Sequence, residues 1–67
     1  MEGWTLVYTG SKLHETEYIK MLLDDNNITS VIVNKQDSFY LIGEIELYVP
    51  VEQAFIANQI IHNLRSE

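Results

Sequence analysis

Glu44-Ile45-Glu46-Leu47-Tyr48-Val49, followed at once by Pro50, is the stretch on which the fold turns. Ile45, Leu47 and Val49 alternate without a break with Glu44, Glu46 and Tyr48. A period of two puts each set on its own face of a β-strand, so one face is core and the other meets water. Upstream, Thr29 to Asn34 is a second β-branched run whose near-continuous apolar character predicts a strand partly covered on both faces. The polar Lys35-Gln36-Asp37-Ser38 follows it.

Further upstream, Leu13 to Asn26 carries Thr16, Ile19, Leu22 and Leu23 on one helical stripe, with Glu17, Lys20, Asp24 and Asp25 mostly away from its centre. Ser11 is the expected N-cap, with Glu15 and Glu17 placed favourably at the positive end of the helix dipole. Thr9-Gly10-Ser11 offers backbone N–H groups to an anion, but helix capping is the better reading of that turn. Asn26-Asn27 tolerates the left-handed conformation of a C-cap, and Ile28 can close over it. Before this helix, Trp4 to Thr9 alternates Trp4, Leu6 and Tyr8 with Thr5, Val7 and Thr9, which is a first strand. After the third strand, Pro50 stands where a helix can begin, and Ala54, Ala57, Ile60, Ile61 and Leu64 form its apolar stripe. Phe55 and Ile56 fall off that stripe.

The order is strand, helix, strand, strand, helix. A right-handed crossover joins the first two strands, and the third inserts most economically between them, antiparallel to both. The expected fold class is α+β: a ferredoxin-like split βαβ lacking its last strand (βαββα), a single domain over residues 1–67. Its three-stranded antiparallel/mixed sheet carries both helices on one face. The missing fourth strand leaves the edge of Trp4 to Thr9 unpaired and able to template a partner. A homodimer through that edge or the uncovered face is the natural remedy, with Trp4, Phe55 and Ile56 as candidate contacts.

The segment Ser38-Phe39-Tyr40-Leu41-Ile42-Gly43 sets four consecutive large apolar residues between two strands. It reads either as a hairpin whose strands extend inward, with Leu41 or Ile42 folded over the core, or as a protruding contact loop. Phe39, Tyr40, Leu41 and Ile42 are its candidate interaction residues.

Composition narrows the function. Ten acidic residues against four basic ones give a net charge of -6, which phosphate backbones and anionic lipid repel. Nucleic acid and membrane are therefore not expected partners; a protein, a second copy or a small ligand is. The absence of Cys removes disulfides, thiol chemistry and Cys-ligated metals. The start Met1-Glu2-Gly3-Trp4 has neither the basic opening nor the apolar run of a secretory signal, and no segment approaches the roughly 20 apolar residues of a membrane span. A soluble, cytoplasmic chain is the expectation.

His14 with Glu15 or Glu17 could share a helix turn as metal ligands, but a site needs about three protein ligands and His62 is the only other His. These residues read as solvated. Ser11, Ser30, Ser38 and Ser66 stand in no pattern of nucleophile, base and orienter, and a domain of this size has little room for a cleft between two catalytic carboxylates. No catalytic residue, metal or cofactor is expected.

Three stretches carry a resemblance: Val7-Tyr8-Thr9-Gly10 leading to Glu15-Thr16-Glu17; Lys20-Met21-Leu22-Leu23-Asp24-Asp25-Asn26-Asn27-Ile28; and Leu47-Tyr48-Val49-Pro50 with Ala54 and Ala57. Together they resemble, over nearly the whole chain, a family of small bacterial proteins of unknown function assigned to prokaryotic signal transduction. That family typically has a small residue at the place of Thr16 and Gly-Ile at the place of Asn27-Ile28. The resemblance implies a fold similar to the regulatory domains of nitrogen-signalling PII proteins. PII-like proteins bind nucleotide and reach their targets through the loop between the second and third strands, here Gln36 to Gly43. With only Lys35 near that loop to grip phosphate, nucleotide binding does not carry over.

Overall fold

A computed structural model of the chain describes residues 2–37, 39 and 43–65. Its elements are β1 (Trp4–Gly10), α1 (Leu13–Asp25), β2 (Val31–Asn34), β3 (Ile45–Pro50) and α2 (Ala54–Arg65), with a 3-10 turn, Val51–Gln53, leading into α2. β3 lies between the other two strands and runs antiparallel to both, in the order β1-β3-β2. This is the βαββα arrangement expected from the alternation at Glu44 to Val49. Ile45, Leu47 and Val49 are wholly buried while Glu46, Tyr48 and Pro50 are half-buried on the opposite face.

Both helices lie on the face of Leu47 and Val49. Ile19 and Leu23 of α1 and Ala57 and Ile61 of α2 join those two strand residues and Ile28 in one core cluster. Full burial stabilises each large aliphatic side chain by roughly 1.5–3 kcal/mol, so these few residues supply most of the force that holds the layers together. Thr16 is also wholly buried, and its Oγ1 donates to the carbonyl of Lys12 at 3.3 Å, which satisfies the hydroxyl within its own helix. The chain measures only 17 Å along its thinnest direction, a depth that holds one sheet and one layer of helices.

β1 departs from the simple alternation. Leu6 stands opposite Tyr48 and Tyr8 opposite Leu47, so Val7 is an extra residue in a β-bulge. The bulge turns Val7 and Tyr8 both toward the core, where they pack against the central cluster, and leaves Leu6 44% exposed on the other face. Trp4, Leu6 and Tyr8 therefore do not share a face as the sequence suggests. Three consecutive apolar residues mask the shift in period.

The ends of the helices show one further departure and one agreement. Lys12, not Ser11, occupies the N-cap of α1, and no side chain caps it; the Ser11 carbonyl instead accepts the Gln36 side-chain amide at 2.6 Å. At the C-terminus, Asn27 adopts φ 62°, its N–H reaches the Asp24 carbonyl at 3.0 Å, and the Ile28 N–H reaches that of Leu23 at 2.9 Å. This pair of bonds is a Schellman cap, sealed by burial of Leu23 and Ile28. Gln53 then ties the turn after α1 to the turn after β3. Its side-chain oxygen accepts from the Thr29 N–H at 3.2 Å and its amide donates to the Asn27 carbonyl at 3.4 Å.

The second strand is shorter than Thr29 to Asn34, because Thr29 is engaged by Gln53 and β2 starts at Val31. Pro50 both closes β3 and caps the 3-10 turn Val51–Gln53: at φ -58° and ψ 143° it is extended, and the turn runs into α2 at Ala54, so the helical stretch opens where the sequence places it. Ala57 and Ile61 are buried and Ala54, Ile60 and Leu64 pack beside them, which is the expected stripe.

Candidate functional site

With both helices on one side, the other face of the sheet is bare of any described element. Register fixes its occupants, since residues directly opposite share a face. They are Trp4, Leu6 and Thr9 from β1, Glu46, Tyr48 and Pro50 from β3, and Val31 and Val33 from β2. Five of these eight are apolar, and Tyr48 adds an aromatic ring. Trp4 lies at the corner of the face, half-buried opposite Pro50.

Glu46 is the carboxylate that the central strand places at one end of this face, between Thr9 and Val33. The Tyr48 hydroxyl donates to its Oε1 at 2.8 Å, and the Lys35 ammonium approaches the same oxygen at 3.1 Å. The Glu46 side chain is only 13% exposed against 58% for Lys35, so the triad shelters the acid while the base reaches out to water. The hydrogen bond from Tyr48, then that from Lys35, holds the Glu46 carboxyl below the usual range. Hydrogen bonding to Glu46 likewise raises the Lys35 ammonium and the Tyr48 phenol.

The signs give a pH prediction. A lowered carboxylate contributes stability that is present above its ordinary value of 4.5 and lost as pH falls through the lower folded value. The raised Lys35 contributes below its ordinary 10.5 and loses that contribution as pH rises through the higher folded value. The raised phenol of Tyr48 acts in the same sense as Lys35. A side-chain NMR titration should therefore place the Glu46 midpoint below 4.5, and Tyr48→Phe should move it upward. An unchanged midpoint in Tyr48→Phe would show that the phenol does not act on the acid.

Described residues on either side of the connection between β2 and β3 lie close to Lys35. The Lys35 N–H donates to the Glu44 carbonyl at 3.0 Å, extending the ladder by one rung, and Gly43 turns back with φ 117°. Asn34 and Asp37 each accept from the backbone N–H two residues on, at 2.9 and 2.8 Å, which builds a chain of side-chain-closed turns. Phe39 stands 89% exposed. Tyr40, Leu41 and Ile42, the other residues of that candidate loop, lie outside the described residues.

A separate pocket of about 620 Å³ opens beside β1, lined by Tyr8, Thr9, His14, Glu15, Tyr18, Ile19 and Leu64. Residues from β1, α1 and α2 meet there, and only the three-dimensional fold reveals it. Phe55 and Ile56 are 75% and 55% exposed on α2, off the packing stripe as the sequence indicates. Among the described residues, no three His, Asp or Glu side chains gather to hold a metal ion, and no helix is long and apolar enough to cross a membrane. The chain matches no protein-family model, no curated protein and no solved structure.

Proposed function

We propose that the chain is a non-enzymatic regulatory or binding module that works through protein contacts, pairing with a second copy across the bare face of its sheet. The observation that carries this reading is the bare face itself. Apolar Trp4, Leu6, Val31 and Val33 share that face with one carboxylate, Glu46, which is already held by Tyr48 and Lys35. A buried carboxylate is costly unless it is paired and hydrogen-bonded, and Glu46 is both before any partner arrives. A twofold interface requires a patch complementary to itself. A largely apolar face whose carboxylate is answered from within meets that requirement, although each copy carries -6 overall. Face-to-face sheets lie about 10 Å apart, and the two helix layers would point outward.

The resemblance to bacterial signal-transducing proteins supports a regulatory role in the cytoplasm, and the exposed Phe39 occupies the loop through which PII-like proteins reach their targets. A small ligand is the second contact open to such a module. A structural homo-oligomer without any ligand would use the same bare face. The pocket beside β1 favours the regulatory reading, because most of its lining comes from α1, α2 and Tyr8 and not from the bare face.

Sedimentation velocity over a wide range of concentration tests the assembly. The wild type should pass from monomer to dimer, and a Leu6→Glu, Val33→Glu double variant should associate at least about tenfold more weakly, since a central interface side chain is worth on the order of 2 kcal/mol. A wild type that stays monomeric throughout, or a variant that dimerises equally well, would remove the bare face from the reading.

A further inference from the structure

β1 closes one end of the sheet order, so no described strand pairs with its outer edge, and the 620 Å³ pocket opens at that same edge on the helix side. We infer that this combination is a strand-addition site, where an extended segment of a partner protein pairs with β1 as a fourth strand and seats a large apolar side chain in the pocket. The inference rests on the reading of the chain as a protein-contact module and names the partner's form. Two independent features converge in it. An unpaired strand offers main-chain hydrogen bonds, and a cavity beside it receives every second side chain of an added strand, which is how such sites obtain affinity and selectivity respectively.

The walls define the anchor. Tyr18 and Ile19 of α1, Leu64 of α2 and Tyr8 of β1 are its large apolar and aromatic lining residues. Tyr8 lies folded along β1 across Gly10, where an added Cβ would stand 2.7 Å from the phenol oxygen, so the absence of a side chain at Gly10 keeps this wall in place. Such a pocket fits phenylalanine or leucine. Among the described lining residues Glu15 supplies a carboxylate, and the whole chain carries -6, so the complementary segment bears lysine or arginine beside its anchor.

A second copy of β1 fits the site poorly. Its Val7 and Tyr8 already pack against its own core, and its Trp4 and Leu6 lie on the bare face, so it has no spare apolar side chain for the pocket. Because a second copy also carries -6, a basic segment of another protein is the better-matched occupant.

A random-peptide phage library selected on the immobilised protein tests this, with the most enriched peptide synthesised for NMR. Enriched peptides should alternate apolar residues around an aromatic or leucine anchor with basic neighbours, and the amides of Leu6 to Gly10 should shift on binding. N-methylation of alternate peptide residues along the edge facing β1 should weaken binding at least tenfold, while the opposite set changes it less than twofold. Tyr18→Ala, at an exposed position of α1, should weaken it at least fivefold. Equal tolerance of both methylation sets, or shifts confined to Val31, Val33 and Tyr48, would overturn strand addition while leaving the protein-contact reading intact. No enrichment together with a dimeric wild type would overturn strand addition alone. No enrichment from a strictly monomeric protein would overturn both.

Discussion

Leu23→Ala should lower the melting temperature by roughly 15–25 °C and destabilise the chain by about 3–4 kcal/mol, the largest effect of any single truncation considered. Leu23 is wholly buried at the centre of the core cluster, and its carbonyl also accepts the Ile28 N–H that closes the Schellman cap. Truncation removes transfer free energy and leaves a cavity between α1 and the sheet. It also strips the apolar seal from the cap. A chain of 67 residues has only about 3–10 kcal/mol of stability in total, so the variant should sit near the edge of unfolding at 37 °C. Thermal melts followed by circular dichroism decide the matter, with Met21→Ala as control because Met21 is 49% exposed on the same helix. If the two variants melt within a few degrees of each other, Leu23 is not at the centre of the core.

Gly43→Ala should cost about 2–4 kcal/mol, although the residue is exposed and far from the core. At φ 117° its backbone occupies a region that L side chains rarely adopt. An added Cβ would stand 2.7 Å from the Lys35 carbonyl oxygen and 3.3 Å from Gln36 Cα. Both obstacles are backbone atoms, so the clash cannot be relieved by swinging a side chain away. The nearest relief is to part the Lys35–Glu44 rung, which would also draw Lys35 away from Glu46. Two measurements should move together: the Lys35 amide should exchange faster with solvent, and the Glu46 titration should rise toward its ordinary value. Faster exchange with an unmoved Glu46 titration would show that the hairpin rung does not position Lys35.

Local periodicity made most of the fold legible. The unbroken alternation of Ile45, Leu47 and Val49 identified the central strand, and the two helical stripes identified the packed faces. The bulge at Val7 escaped because Leu6, Val7 and Tyr8 are all apolar, and a period cannot register a slip among like residues. Ser11 has the chemistry of a cap, but the choice between Ser11 and Lys12 depends on where Gln36 reaches, which no local pattern carries. Pro50 suits a strand end and a helix start, and it serves as both. At the candidate site, the shared face of Glu46 and Tyr48 follows from their spacing, but Lys35 joins them only through the register of β2 with β3. The pocket beside β1 had no signal in any one segment, since its walls come from three elements distant in sequence.

The place of β3 in the sheet has a consequence for synthesis. Through residue 44 the emerging chain holds β1 and β2 but no native strand pair, because each finds its only described neighbour in β3. α1 can wind as soon as it is made, yet the sheet cannot begin to assemble until Ile45–Pro50 has left the ribosome, and then both ladders can close around one newcomer. The emergence of β3 thus sets the moment at which the nascent segment ceases to be an open coil with a helix in it.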